Sequence, residues 1–252
     1  MIRKIHLLLS TPSNGTVPPV ALDLAWLRDK MNSETWSLDA MKHHFVKHYF
    51  QSMWHPGLPL GGDCAHLERL GNAGDGDKVL CGASKLLSGA CRVVSVGSHG
   101  DFSFENNLHQ RAPGCRMDTY DPEKSYAKLA PRFVNFLPEV FQASSAKRYE
   151  GKRISVLKID CEGCEYTALE PFLAATCTDT ILLELHGCKV ASPRGEQVAT
   201  SGWGPLRRLQ ESHKLMSALE ADYVVYSAEP NVEWSDGTCV EYGLRRRTPC
   251  ED

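Results

Sequence analysis

From Lys78 onward, apolar runs alternate with amphipathic segments, which predicts a βαβ arrangement and a mainly parallel sheet. "CRVVSV", ending at Gly97, reads as the first strand of that sheet, and "CRMDTYD", ending at Asp121, as the second. "RFVNFL" supplies a third, "ISVLKID" a fourth that ends at Asp160, and "TILLELH" a fifth that ends at His186. The fourth and fifth are nearly unbroken apolar runs, as expected of strands covered on both faces. "GPLRRLQESHKLMSALEAD" follows as a helix. "YVVYS" and "TCVEYGL" close the chain as strands able to pair antiparallel across the turn-rich "EPNVEWSDG".

Upstream the pattern differs. Residues 1–19, with "TPSNGTVPP", read as a loose tail, and residues 20–77 as a helical extension in front of an α/β domain over 78–252. Within the extension, Val20 to Met31 is one helix. Ser37 caps another, in which Leu38, Met41, Phe45 and Tyr49 recur at helical spacing. His44 and His48 share a face there as zinc ligands do, but no H-E-x-x-H motif accompanies them, which favours a solvated or partner-facing helix. Cys64 to Leu70 reads as a short helix closed by Gly71.

In an open parallel sheet, ligands bind beyond the carboxyl ends of the strands, where the strand order reverses. The residues placed there are Gly97, Ser98, His99, Gly100 and Asp101 after the first strand and Asp121 after the second. Asp160 and Glu162 follow the fourth, and Glu184 and His186 end the fifth. Gly97 and Gly100 let backbone approach a ligand, and amides at a helix start can meet a negative group, although a purely structural turn has the same appearance. Asp101 or Ser103 would cap the helix that follows. Asp121 falls roughly twenty residues beyond the glycine turn, where a carboxylate can accept both hydroxyl hydrogens of a ribose. The loop is G-x-x-G, not G-x-G-x-x-G, so it serves a dinucleotide's pyrophosphate poorly and suits S-adenosylmethionine better.

The run "GDGDKVLC…CRVVSVGSHGDFSFE…GCRMDTYDP…VLKIDCEGCEYTAL…LLELHG…EPN…CVEYGL" resembles the methyltransferase-like proteins related to the FkbM-type methyltransferases, from roughly Cys64 to Leu244. "KIDCEGCE" looks like that family's K-I-D-x-E-G-x-E block, and "GDFSFE" like its D-x-S-F-E segment. The resemblance implies a class I, Rossmann-like fold of sheet order 3-2-1-4-5-7-6 with the last strand antiparallel, and S-adenosylmethionine as cofactor. It places Gly97, Ser98 and Gly100 at the methionine end, Asp121 at the ribose, and Asp160 and Glu162 beside the reactive methyl. Cys81 and Cys91 match family cysteines flanking the first strand, which implies a disulfide between them in an oxidising compartment. Cys161 and Cys164 read as packing residues.

Methyl transfer is an in-line displacement, so an enzyme chiefly aligns the partners, and a hydroxyl acceptor also needs a base. His186 is expected to act as that base or, with Asp160 or Glu162, as a metal ligand. The structural alternative is that His186 caps its strand and Glu162 satisfies the turn's amides. The resemblance leans to O-methylation of a small hydroxylated or sugar-like acceptor. A catalytically silent donor-binding scaffold on the same fold is the alternative.

Composition narrows this reading without redirecting it. The chain has 252 residues and a formal charge of -3, which argues against a protein whose main task is gripping nucleic acid. "GLRRR" reads as a solvated strand end. No apolar run is long enough to span a bilayer, and "MIRKIHLLLS" is short for a secretory signal. A soluble protein is expected, in the cytoplasm or, if the N-terminus is truncated, in the secretory lumen. Asn14-Gly15-Thr16 is a glycosylation sequon. Ten cysteines are many for a reducing cytosol, and Cys161 and Cys164 form the only C-x-x-C pair, without the second pair structural zinc wants.

Overall fold

The computed structural model describes residues 64–72, 77–87, 91–186, 204–231 and 239–250. The expected tail, both early helices with their histidines, the sequon and the connection 232–238 lie outside these. The ordered elements are β1 (Leu67–Leu70), β2 (Lys78–Cys81), α1 (Ala83–Leu86), β3 (Arg92–Val96), α2 (Ser103–Arg111), β4 (Arg116–Tyr120) and β5 (Val134–Leu137). They continue as β6 (Arg153–Ile159), α3 (Glu165–Ala175), β7 (Cys177–His186), α4 (Gly204–Asp222), β8 (Tyr223–Asn231) and β9 (Cys239–Arg246).

Seven strands form one sheet in the order β5-β4-β3-β6-β7-β9-β8. The first five run parallel, and β9 is antiparallel to both β7 and β8. Counted within the sheet this is 3-2-1-4-5-7-6, the arrangement the family resemblance implies. Strand order reverses between β3 and β6, whose carboxyl ends therefore flank a crevice. β6 and β7 are buried along nearly their whole length, which is why their sequences read as continuous apolar runs. On one face, Val93, Met117 and Val156 meet Phe104 and Leu108, one helical turn apart on α2. Tyr120, Phe141, Tyr149 and Phe172 form an aromatic cluster elsewhere.

Cys64 to Leu70 is not the expected helix: Leu67–Leu70 is a strand paired antiparallel with β2. Three of its four residues are more exposed than Leu70, which is buried at the end, so its own pattern is too short to decide. What fixes it is distant in sequence. A Cys64–Cys81 disulfide and the hydrogen bond from Gly82 N to His66 O hold it against β2. This hairpin joins residues on both sides of the expected boundary at 77–78.

The expected Cys81–Cys91 disulfide is also corrected. The pairs are Cys64–Cys81, Cys91–Cys115, Cys161–Cys164 and Cys177–Cys250. Cys91 and Cys115 precede β3 and β4, which start in register with Arg92 opposite Arg116, so their side chains begin side by side. Cys161 and Cys164 are thus disulfide partners and not separate packing residues. The basic run behaves as a strand end: Arg246 lies over the Tyr223 ring and Arg247 donates to Glu220 O.

Candidate active site

The expected residues after β3, β4, β6 and β7 come together at the carboxyl ends of those strands. Gly97 takes φ +79°, and a Cβ there would fall 1.6 Å from the Asp160 carbonyl oxygen, so only glycine lets β3 turn this close to β6. Among the described residues, His99 and Glu162 are the non-glycine residues with positive φ, at 47° and 57°, and each lies at a bend of the site. Such sparsely populated backbone is stored where the surroundings hold it.

Asp121 closes directly onto the glycine turn. Its Oδ2 accepts from Ser98 N at 3.0 Å, Ser98 Oγ at 3.0 Å and His99 N at 2.9 Å, and its Oδ1 from Glu123 N at 3.0 Å. Gly100 N turns to Ser98 Oγ. The loop amides that the sequence left for a ligand are therefore bonded within the chain, and the Lys158 ammonium rests on the Gly97 carbonyl. The expected cap is corrected: the N-cap of α2 is Phe102, whose side chain makes no capping hydrogen bond, and Asp101, one residue earlier, accepts from Ser103 N at 2.8 Å.

Past β6 and β7 lies a buried group of charges. Lys78, from β2, donates to Asp160 Oδ2 at 3.3 Å and to Glu241 Oε1 at 2.6 Å. Glu184 stands opposite Glu241 in the β7–β9 register and accepts from Asn231 Nδ2. His186 is 3% exposed. Its Nδ1 and backbone N both meet Glu165 Oε1 at 3.0 Å, while Gly163 N donates to Glu165 Oε2. Glu165, at the start of α3, therefore ties the turn after β6 to the end of β7. The Glu162 side chain is 62% exposed, 3.7 Å from His186 Nε2.

Burial resists charge throughout this group, and the neighbours decide the outcome. Burial disfavours the Asp160 carboxylate, yet Lys78, Lys158 and His186 together hold it well below the usual range. Burial pushes Glu184 up to about 9, helped by Asp160 and Glu241. Glu241 rises to about 7 for the same reason, with Lys78 opposing. Burial would discharge Lys78 and His186, but the carboxylates outweigh it: Lys78 stays above its ordinary value, and His186, bonded to Glu165, rises to about 10.

Lys78 and Glu241 were not among the residues the sequence singled out. The signal available was a single charged residue inside each of two otherwise apolar strand segments, "KVLC" and "CVEYGL".

A mostly parallel sheet with acids and a glycine turn at its switch point defines the Rossmann-like class of folds. Within that class the chain belongs to a methyltransferase-domain family, whose model matches residues 27–136 and 125–245. No curated protein sequence matches it. Similar solved structures include the fibrillarin pre-rRNA processing protein of Methanococcus jannaschii, at 10% identity over 75% of this chain and 86% of that one, TM-score 0.43. Others are the N-methyltransferase NodS of Bradyrhizobium japonicum WM9 (13% identity, 66% and 94% covered, TM-score 0.40) and an O-methyltransferase family protein of Burkholderia thailandensis (12%, 67% and 55%, TM-score 0.40). No helix of the described residues is long and apolar enough to cross a membrane.

Proposed function

We propose that this chain is an S-adenosylmethionine-dependent methyltransferase acting on a hydroxyl of a small, sugar-like acceptor. The observation that carries the reading is the convergence of Gly97, Asp121, Asp160 and His186 at the point where strand order reverses. The residues present fit the cofactor at its ribose end: Asp121 is buried there, and its Oδ1 accepts one bond, leaving capacity for a hydroxyl. At the methionine end, the turn Gly97 to Gly100 with Lys158 on its carbonyl offers a cation to a carboxylate. Bound there, S-adenosylmethionine would supply a methyl group already activated on its sulfonium.

The rest falls to the chain's own side chains. Asp160, ionised between Lys78 and Lys158, supplies fixed negative charge beside the reactive methyl. Glu162 takes the acceptor's proton, because it is far more exposed than Asp160 or Glu241. His186, buried behind it and anchored by Glu165, orients the carboxylates.

Titration calorimetry with S-adenosylmethionine and a screen of hydroxylated acceptors with labelled donor test this. Asp121→Asn is expected to weaken donor binding about 10- to 100-fold, the worth of a charge-assisted hydrogen bond. Glu162→Gln should lower turnover and leave donor affinity intact. No heat at millimolar donor would sink the reading, and binding without turnover on any acceptor would favour the silent scaffold.

Four disulfides among the described residues further support folding in an oxidising compartment such as the secretory lumen. Peptide mapping of protein from its native source, alkylated before reduction, should recover these four pairs. Free thiols at all eight positions would place it in a reducing compartment.

A further inference from the structure

We propose that the Cys161–Cys164 disulfide is a site of thiol–disulfide exchange with a dithiol protein of the thioredoxin type, and that its opening frees Glu162 from its place beside His186. Two observations set this pair apart from the other disulfides of the described residues. Neither of its cysteines is buried, whereas each other pair has a buried member: Cys81, both Cys91 and Cys115, and Cys250. It also spans a sequence separation of 3, against 17, 24 and 73. A bridge stabilises mainly by restricting the unfolded chain, and a ring this small restricts it least. Stability is therefore a weak reason for this bridge, and its exposure leaves it open to an outside thiol.

What the ring does hold is local. Its two inner residues, Glu162 and Gly163, have φ of 57° and 112°. The left-handed region is unfavourable for glutamate and persists only where the surroundings impose it. With the ring closed, the Glu162 carboxylate stands 3.7 Å from His186 Nε2. With the ring open, the bond from Gly163 N to Glu165 remains, but the closure across Glu162 is gone. Glu162 then relaxes to negative φ, and its carboxylate leaves the imidazole.

The neighbours suit the exchange. Cys164 is the N-cap of α3, where the helix dipole favours its thiolate, so it is the better leaving group. The incoming thiolate attacks Cys161 Sγ: a bond from the reductant to Cys161 forms, the Cys161–Cys164 bond breaks, and Cys164 leaves as thiolate. The reductant's second sulfur then attacks its own first, which forms the reductant's disulfide and releases Cys161. Two electrons pass to the pair, and the two protons of the dithiol end on Cys161 and Cys164. Glu165 Oε2, buried and 3.5 Å from Cys161 Sγ, accepts a hydrogen bond from the new thiol. A monothiol serves less well, because the freed cysteine lies three positions from its partner and expels it. A dithiol's second thiol is already attached and wins that competition.

The exchange needs neither donor nor acceptor; only its effect on turnover rests on the proposed methyl transfer. The full chain, purified without thiols, is treated with graded reduced thioredoxin and followed by differential alkylation and mass spectrometry. Cys161 and Cys164 are expected to become alkylated at least about 10-fold sooner than the cysteines of the other three pairs. The imidazole resonances of His186 should shift as the pair opens, and shift alike in the Cys161→Ser/Cys164→Ser variant. Glu162→Gln should remove most of that shift. Opening no sooner than the other pairs, or His186 resonances that do not move on opening, would overturn the proposal. Should the double variant not fold, the reduced wild type decides alone. Turnover of the opened protein should fall about 10- to 100-fold with donor affinity unchanged. A chain that transfers no methyl group leaves the exchange result standing, and a failed exchange leaves methyl transfer standing.

Discussion

Gly97→Ala is expected to destabilise the domain by about 3–5 kcal/mol, the sum of a left-handed backbone penalty and an overpacking cost. Against a total stability of about 5–15 kcal/mol, this is between about a fifth and the whole of it. The steric part dominates: at 1.6 Å from the Asp160 carbonyl, the added carbon meets backbone, which cannot swing aside as a side chain could. Two other glycines separate the contributions. Gly114 has no positive φ and open space around it, so Gly114→Ala should be nearly neutral. Gly151 has φ +68° and open space, so Gly151→Ala should show the backbone penalty alone, about 1–2 kcal/mol. Denaturant midpoints of the three variants make the comparison. If Gly97→Ala costs no more than Gly151→Ala, β3 and β6 do not approach as described, and the crevice between them is wider.

Lys78→Met should cost nearly as much, about 3–5 kcal/mol, because it removes one partner of a buried ion pair and leaves the other uncompensated. Methionine preserves most of the side chain's volume, so the loss reports charge more than packing. Asp160 and Glu241 would then face each other, with Glu184 beside them and the cation that bonds both gone, Lys158 and His186 alone remaining to hold Asp160. Adding Glu241→Gln to Lys78→Met should recover part of the stability, since a neutral amide no longer repels Asp160. Chemical unfolding at neutral pH measures both. A Lys78→Met cost below about 1 kcal/mol, the range of an exposed pair, would mean that water and not the ammonium screens these acids.

The legible part of this molecule is the part whose signal is local. Seven strands could be read as runs, because burial on both faces writes unbroken apolar sequence, as in "ISVLKI" and "TILLEL". Gly97, Asp121, Asp160 and His186 could be chosen because each stands at the end of such a run. Their neighbours in space could not. Lys78 reaches Asp160 across 82 positions and Glu241 across 163, and nothing beside any of the three in sequence announces the meeting. Leu67–Leu70 failed for the same reason: a four-residue segment before a glycine looks like a helix end until its partner strand is known. The disulfides failed because cysteine spacing does not carry register, and it is the shared start of β3 and β4 that selects Cys115 for Cys91. Within the site, the sequence placed Asp121 near the glycine turn but gave no hint that it would consume the turn's amides.

The Cys161–Cys164 bridge lies between the end of β6 and the start of α3, the stretch of chain that also carries Glu162 and Gly163. It is a covalent clasp on the hinge of the acidic group, and both its sulfurs belong to half-exposed residues. Dithiothreitol, added to purification buffers by routine, can open such a clasp while leaving the remainder of the sheet standing. Enzyme handled that way and enzyme kept from thiols would then be two preparations with different working ends.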